Sequence, residues 1–156
     1  RIFVAKNKIK PFSAQLHSHV YDLNIGVIKG SFLHHSAIEC GEGAKGVNIC
    51  YLKKYNYQSP LNGGIGLKYI SEMPYSLYDY YVPESGMIHL QHDVIHTVSV
   101  SKGTMWIVEE LGMKSESSVV VGKKFILDGL YNQPKQYQIN DIFQIVKKEL
   151  EIICAK

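Results

Sequence analysis

The sequence predicts an all-β fold, a barrel or sandwich of short strands, with one helix at its C-terminal end. Three observations predict it. Short runs rich in Val, Ile, Tyr and Phe recur along the chain. Turn residues separate them at near-regular spacing. Helical periodicity enters only from Ile139 onward. With 156 residues, 46% hydrophobic and 20% charged, the chain has the length of one domain and enough apolar side chains to fill a core. The expected division is a β-barrel over residues 1–138 and a helix over residues 139–156 packed against it, all in a single domain.

Strands are expected at Ala14–Val20, Leu23–Lys29, Val47–Lys53, Leu67–Ser71, Leu77–Val82, His96–Val100, Met105–Glu110, Ser118–Val121 and Lys123–Leu127. Turns fall at Lys29-Gly30-Ser31, Gly41-Glu42-Gly43, Asn62-Gly63-Gly64, Pro83-Glu84-Ser85-Gly86 and Ser101-Lys102-Gly103. In the tail, Asn140 or Asp141 can cap a helix. Ile142, Ile145, Val146, Leu150 and Ile153 then form one apolar stripe, with Lys147, Lys148 and Glu151 off it. Trp106 reads as core. Asn62-Gly63-Gly64-Ile65-Gly66 lacks the following helix and Lys-Ser/Thr of a phosphate loop, so it reads as a glycine-rich turn. The Cys40–Lys45 loop and the Ser59–Gly66 segment are expected as lids over a barrel mouth.

The formal charge of +3 is spread over scattered lysines, which argues against nucleic acid as a partner. No apolar run approaches the ~20 residues of a membrane span, and Arg1–Lys6 shows neither a long apolar stretch nor a cleavage pattern, so no signal peptide is expected there. Cys40, Cys50 and Cys154 are odd in number and contain no C-x-x-C, so a reducing, cytoplasmic setting without disulfides is expected. Arg1 is the only arginine.

Seven histidines are present, and two are informative by spacing: His17 and His19. In a strand, residues i and i+2 share a face, so Leu16-His17-Ser18-His19 aims two imidazoles at one spot. Neutral imidazole suits Fe, Zn, Cu and Ni. His96 opens a second strongly β stretch, His96-Thr97-Val98-Ser99-Val100, and can supply a third ligand that leaves metal positions open. The competing readings are a surface pair, or buried histidines hydrogen-bonded in a barrel without metal.

The stretch from about Ala14 to Leu111 resembles the cupin superfamily. The first cupin motif has H-x-H, a Glu after three or four residues, and a hydrophobic strand ending in Gly; here His17-Ser18-His19 is followed by Leu23-Asn24-Ile25-Gly26-Val27-Ile28 and Gly30. The second motif, a Gly, a turn and a His opening a strand, is matched in outline by Gly86 through His96. Two departures stand out. The glutamate falls at Leu23 or Asn24, with Asp22 one place early, and the Pro-x-Gly before the last histidine is Gln91-His92-Asp93. Loss of the glutamate is similar to the cysteine-dioxygenase-like branch, in which three histidines alone hold Fe(II). The resemblance implies a double-stranded β-helix (jelly-roll) barrel, a metal held by His17, His19 and His96, and O2-dependent chemistry on a small molecule. It also implies a possible homodimer, as cupins often form.

Among other residues, His92 is a candidate acid/base group, against a solvent-exposed loop role. Tyr81, in the tyrosine cluster Tyr75–Tyr81, is a candidate proton donor, against the ordinary use of tyrosine to fill barrel faces. His34 and His35 are expected at the rim or surface, and His89 in a loop. No serine–histidine–acid set can be placed from the sequence. The leading function is a mononuclear non-haem iron dioxygenase. The alternatives are a Zn or Ni isomerase or hydrolase, and a non-enzymatic cupin that binds a small molecule. Free L-cysteine is not expected as the substrate, because Arg1 alone could offer the planar fork that clamps its carboxylate.

Overall fold

The alternation of apolar and polar residues is clearest in Tyr21–Lys29, where Leu23, Ile25 and Val27 are buried and their neighbours are not. A strand with one face on a core and one toward solvent follows. The computed structural model describes residues 1–10, 15–123, 144, 147 and 151. Within them run β1 (Ile2–Val4), β2 (Leu16–His17), β3 (Tyr21–Lys29), β4 (Phe32–Glu39), β5 (Ile49–Gln58), β6 (Gly66–Val82), β7 (Met87–Leu90), β8 (Ile95–Val100), β9 (Met105–Met113) and β10 (Ser118–Gly122). Gln144, Lys147 and Glu151 are helical and exposed, with Lys147 and Glu151 paired at 3.9 Å. The rest of the predicted C-terminal helix lies outside the described residues, as does nearly all of the strand predicted at Lys123–Leu127. No helix among the described residues is long and apolar enough to cross a membrane.

Pairing follows one rule. β1 pairs with β9, β2 with β8, β3 with β7 and β4 with β6, all antiparallel. This is the pattern of one long hairpin rolled up, so that successive pairs fall alternately into two sheets. One sheet has the order β1-β9-β3-β7. The other contains β2-β8-β4-β6, and β5 and β10 extend it until β10 meets β2, closing a ring of six strands.

Two cores result. Between the sheets, Leu23, Ile25, Val27, Phe32, Val82, Leu90 and Val100 pack together, with Trp106 and Val108 against them. Inside the ring, each of the six strands contributes one residue: Leu16, Ala37, Leu52, Tyr75, Ile95 and Val121. β4, β6 and β8 contribute to both cores, with Phe32, Val82 and Val100 in one and Ala37, Tyr75 and Ile95 in the other. Gly30 makes the turn from β3 to β4 at φ +78°, where an added Cβ would also come within 3.0 Å of Thr104 Oγ1.

The structure departs from the sequence expectation in five strands. β1, β4 and β7 were not expected as strands. β6 is one strand of 17 residues rather than two. Pro74 sits within it because its carbonyl accepts from the Cys40 N–H at 2.8 Å, which turns the proline nitrogen toward the side where β4 has already ended. Of the six described residues of the strand expected at Ala14–Val20, β2 holds two, Leu16 and His17.

Leu16 is 2% exposed and holds the two-residue β2 in the ring core. The variant Leu16→Ala is expected to lose about 2–5 kcal/mol of stability, read as a lower urea midpoint; a loss below about 1 kcal/mol would contradict the packing described.

Candidate metal centre

β2 is short but pinned on both edges. His17 lies directly opposite His96 of β8 and opposite Val120 of β10. Beyond His17 the chain leaves the regular ladder yet stays tied. The Ser18 N–H donates to the Val119 carbonyl, the Ser18 hydroxyl accepts from the Val119 N–H, and the His19 N–H donates to the His92 carbonyl, each at 2.8 Å. The extended backbone is preserved, so Leu16 and Ser18 are buried on one side and His17 and His19 project on the other. Cross-strand pairing then brings His96 to the same face.

The three rings converge. Centroid separations are 4.9 Å for His17–His19, 5.4 Å for His17–His96 and 5.1 Å for His19–His96. One ring nitrogen from each lies within 4.8 Å of the other two. An imidazole bound at about 2.0–2.1 Å has its centroid about 3.2 Å from the metal, so rings around one ion stand about 4.5 Å apart at right angles and about 5.2 Å apart at tetrahedral angles. The observed separations fall near the second figure. His17 Nδ1 lies 2.8 Å from the Gln15 carbonyl oxygen, to which it can only donate. Its proton is therefore on Nδ1, and the lone pair of Nε2 is left for a cation. His19 Nε2 and His96 Nε2 face each other at 2.8 Å. Two such lone pairs repel unless one carries a proton or both point at a cation.

Burial keeps these rings neutral. Desolvation, with the nearby His17 and Arg1 charges, lowers His19 to about 4. Desolvation, helped by His17, His34 and His19, lowers His96 to about 2. At neutral pH a metal would have no proton to displace from either ring, which favours binding. His34, expected at the rim or surface, is instead fully buried; it stacks on His96 at 4.7 Å and lies tilted against Tyr80 at 4.5 Å. Burial lowers it to about 4. Its Nδ1 meets the Ser36 hydroxyl at 3.1 Å, while its Nε2 and His96 Nδ1 are buried without a hydrogen-bond partner among the described residues. The sequence signal for His34 was its place two residues before a buried Ser36, visible only once β4 is known to be a strand.

The remaining candidates are placed elsewhere. The Asp22 carboxylate accepts from the His92 N–H at 2.8 Å and meets His92 Nδ1 at 3.2 Å, which with Lys114 holds Asp22 below the ordinary carboxylate range. His92 thus touches the cluster through its carbonyl on His19, and its ring is engaged by Asp22. Leu23 fills the inter-sheet core, and Asn24 bonds Glu109 and His89, so neither the usual glutamate position nor Asp22 brings a carboxylate to the three histidines. Tyr81 is 65% exposed on the strand face opposite Tyr80 and is not brought to the cluster. Arg1 is bound to Glu110 at 2.9 Å. No protein-family model, curated protein or solved structure matches the chain.

Because His19 and His34 fold with values of about 4 against about 6.5 when unfolded, the unfolded chain takes up protons first as pH falls. The stability conferred by neutral burial is complete above about 6.5 and is lost as pH drops toward 4. Urea midpoints of metal-free protein are expected to fall steadily from pH 7 to pH 4; a flat profile would contradict the burial of neutral rings.

Proposed function

We propose that the chain is a metal-dependent cupin whose His17, His19 and His96 hold one divalent ion, and that it acts as a mononuclear Fe(II) dioxygenase on a small molecule. The observation that carries the reading is the convergence of three imidazoles, two held neutral by burial, with no carboxylate joining them among the described residues. The rolled-hairpin strand order supports a jelly roll, the architecture of cupins. An all-nitrogen set of three ligands leaves positions for exogenous groups.

Each neighbour has a task in this reading. The Gln15 carbonyl fixes the His17 tautomer, and the His92 carbonyl fixes the backbone at His19. His34 backs the His96 ring. Fe(II), when bound, would supply the redox chemistry by which O2 reacts with the substrate, while the protein supplies geometry and a dry wall. A second reading is Zn held by the same three imidazoles, with an open position and Lewis-acid chemistry. Arg1 is exposed, and its guanidinium is engaged by Glu110, so a thiol or diketone without an amino-acid carboxylate is the better substrate class.

Protein purified without a histidine tag is expected to carry about one metal ion per chain under this reading, and His96→Ala to carry less than about a tenth of that. Equal metal content in the two would remove the site. Oxygen uptake by Fe(II)-loaded protein with small thiols and diketones separates the readings: uptake supports the dioxygenase, and metal-dependent hydrolysis or isomerisation without uptake supports the zinc form. Efficient, saturable uptake with L-cysteine would contradict the substrate class.

A further inference from the structure

The opposite face of β4, β6 and β8 carries a second arrangement. His35 of β4 stands directly opposite Asp79 of β6 and Thr97 of β8, and Ser99 is the diagonal neighbour two residues beyond Thr97. His35 Nδ1 lies 2.7 Å from Asp79 Oδ1, and His35 Nε2 lies 2.6 Å from the Ser99 hydroxyl oxygen. A carboxylate only accepts, so in the neutral ring the proton sits on Nδ1 and the lone pair sits on Nε2. The Ser99 hydroxyl must then donate to that lone pair. Proton positions and distances together are those of a serine nucleophile, its general base and the acid that orients the base.

The surroundings suit a reaction at Ser99 rather than a closed structural knot. The His35 side chain is 12% exposed and that of Asp79 is 51% exposed. Ser99 is partly exposed and borders a hollow of about 270 Å³, which Lys8, Leu33 and Tyr81 also line. His35 and Asp79 border a neighbouring hollow of about 410 Å³. Lys8 is the residue before Ile9, whose backbone exchanges two hydrogen bonds with Val100, and it lines the same hollow as Ser99. Because strand side chains alternate, this trio lies on the other face from His17, His19, His34 and His96.

We infer that Ser99, His35 and Asp79 form a hydrolytic site for esters of small carboxylic acids, independent of the metal centre. Ser99 Oγ bonds to the ester carbonyl carbon as its proton passes to His35 Nε2. The Lys8 ammonium is the charge available to the developing oxyanion. The carbon–oxygen bond to the alcohol breaks as His35 returns the proton to the leaving oxygen. Water, deprotonated by His35, then bonds to the acyl carbon, and the acyl–serine bond breaks as His35 returns that proton to Ser99 Oγ. The sum is ester plus water to acid plus alcohol, with no change of oxidation state. Ser99 and His35 touch reacting atoms and are catalytic residues; Asp79 is a positioning residue.

The test is labelling of the full chain by a fluorophosphonate, which forms a serine–phosphorus bond with loss of fluoride, mapped by peptide mass spectrometry. The expected result is one adduct, on Ser99, persisting after chelator treatment and absent in Ser99→Ala. His35→Gln is expected to slow labelling about 100-fold or more. Asp79→Asn should slow it about 10-fold or more, with Asp79→Glu recovering part of the loss. Mapping on the unmodified chain requires no variant to fold. Absence of an adduct, equal labelling of Ser31 or Ser101 in the same hollow, or a Ser99 rate unaffected by His35→Gln would each overturn the inference.

Discussion

The structure depends on the seating of a two-residue strand. Leu16 and His17 enter the ring between β8 and β10, and with them the sheet closes. The same insertion places one side chain in each of two environments, because neighbours in a strand point opposite ways. Leu16 completes the ring core, and its burial fixes the register. His17 is thereby aimed at His96, and His19 follows on the same face. A slip of one residue would exchange these faces and put an imidazole into an apolar core. Fold closure and site assembly therefore rest on one pairing, His17 opposite His96.

Desolvation sets the chemistry of what that pairing assembles. A buried imidazolium is costly, so His19, His34 and His96 are held neutral well below neutral pH. Neutral rings are ligands, and charged ones repel both each other and a cation. His34 has a distinct part in this, since its flat contact with His96 excludes solvent from one side of the cluster.

Much of the site was legible because it uses the simplest periodicity in β-structure. His17 and His19 differ by two and so share a face; His96 was legible because a strongly β-forming run follows it. The glutamate's absence could also be read directly, and Leu23 in its place proves to be core. Other features were hidden for physical reasons. β4 contains adjacent His34 and His35, which weaken its apolar alternation, yet one ring packs on His96 and the other lies on the opposite face. β6 carries Pro74, a strand-breaking signal cancelled by the end of β4 beside it. The trio His35, Asp79 and Ser99 comes from three strands whose register no single-strand pattern reveals.

One sheet thus presents different chemistry on its two faces, with three convergent imidazoles on one and a hydrogen-bonded acid–base–hydroxyl chain on the other. The claim on which the functional reading stands is that His17, His19 and His96 share one ion. X-ray absorption spectroscopy of the metal-loaded chain tests it most directly. The account predicts three imidazole nitrogens at about 2.0–2.2 Å, with no sulfur scatterer. A first shell with fewer than three imidazoles, or one containing cysteine sulfur, would contradict it.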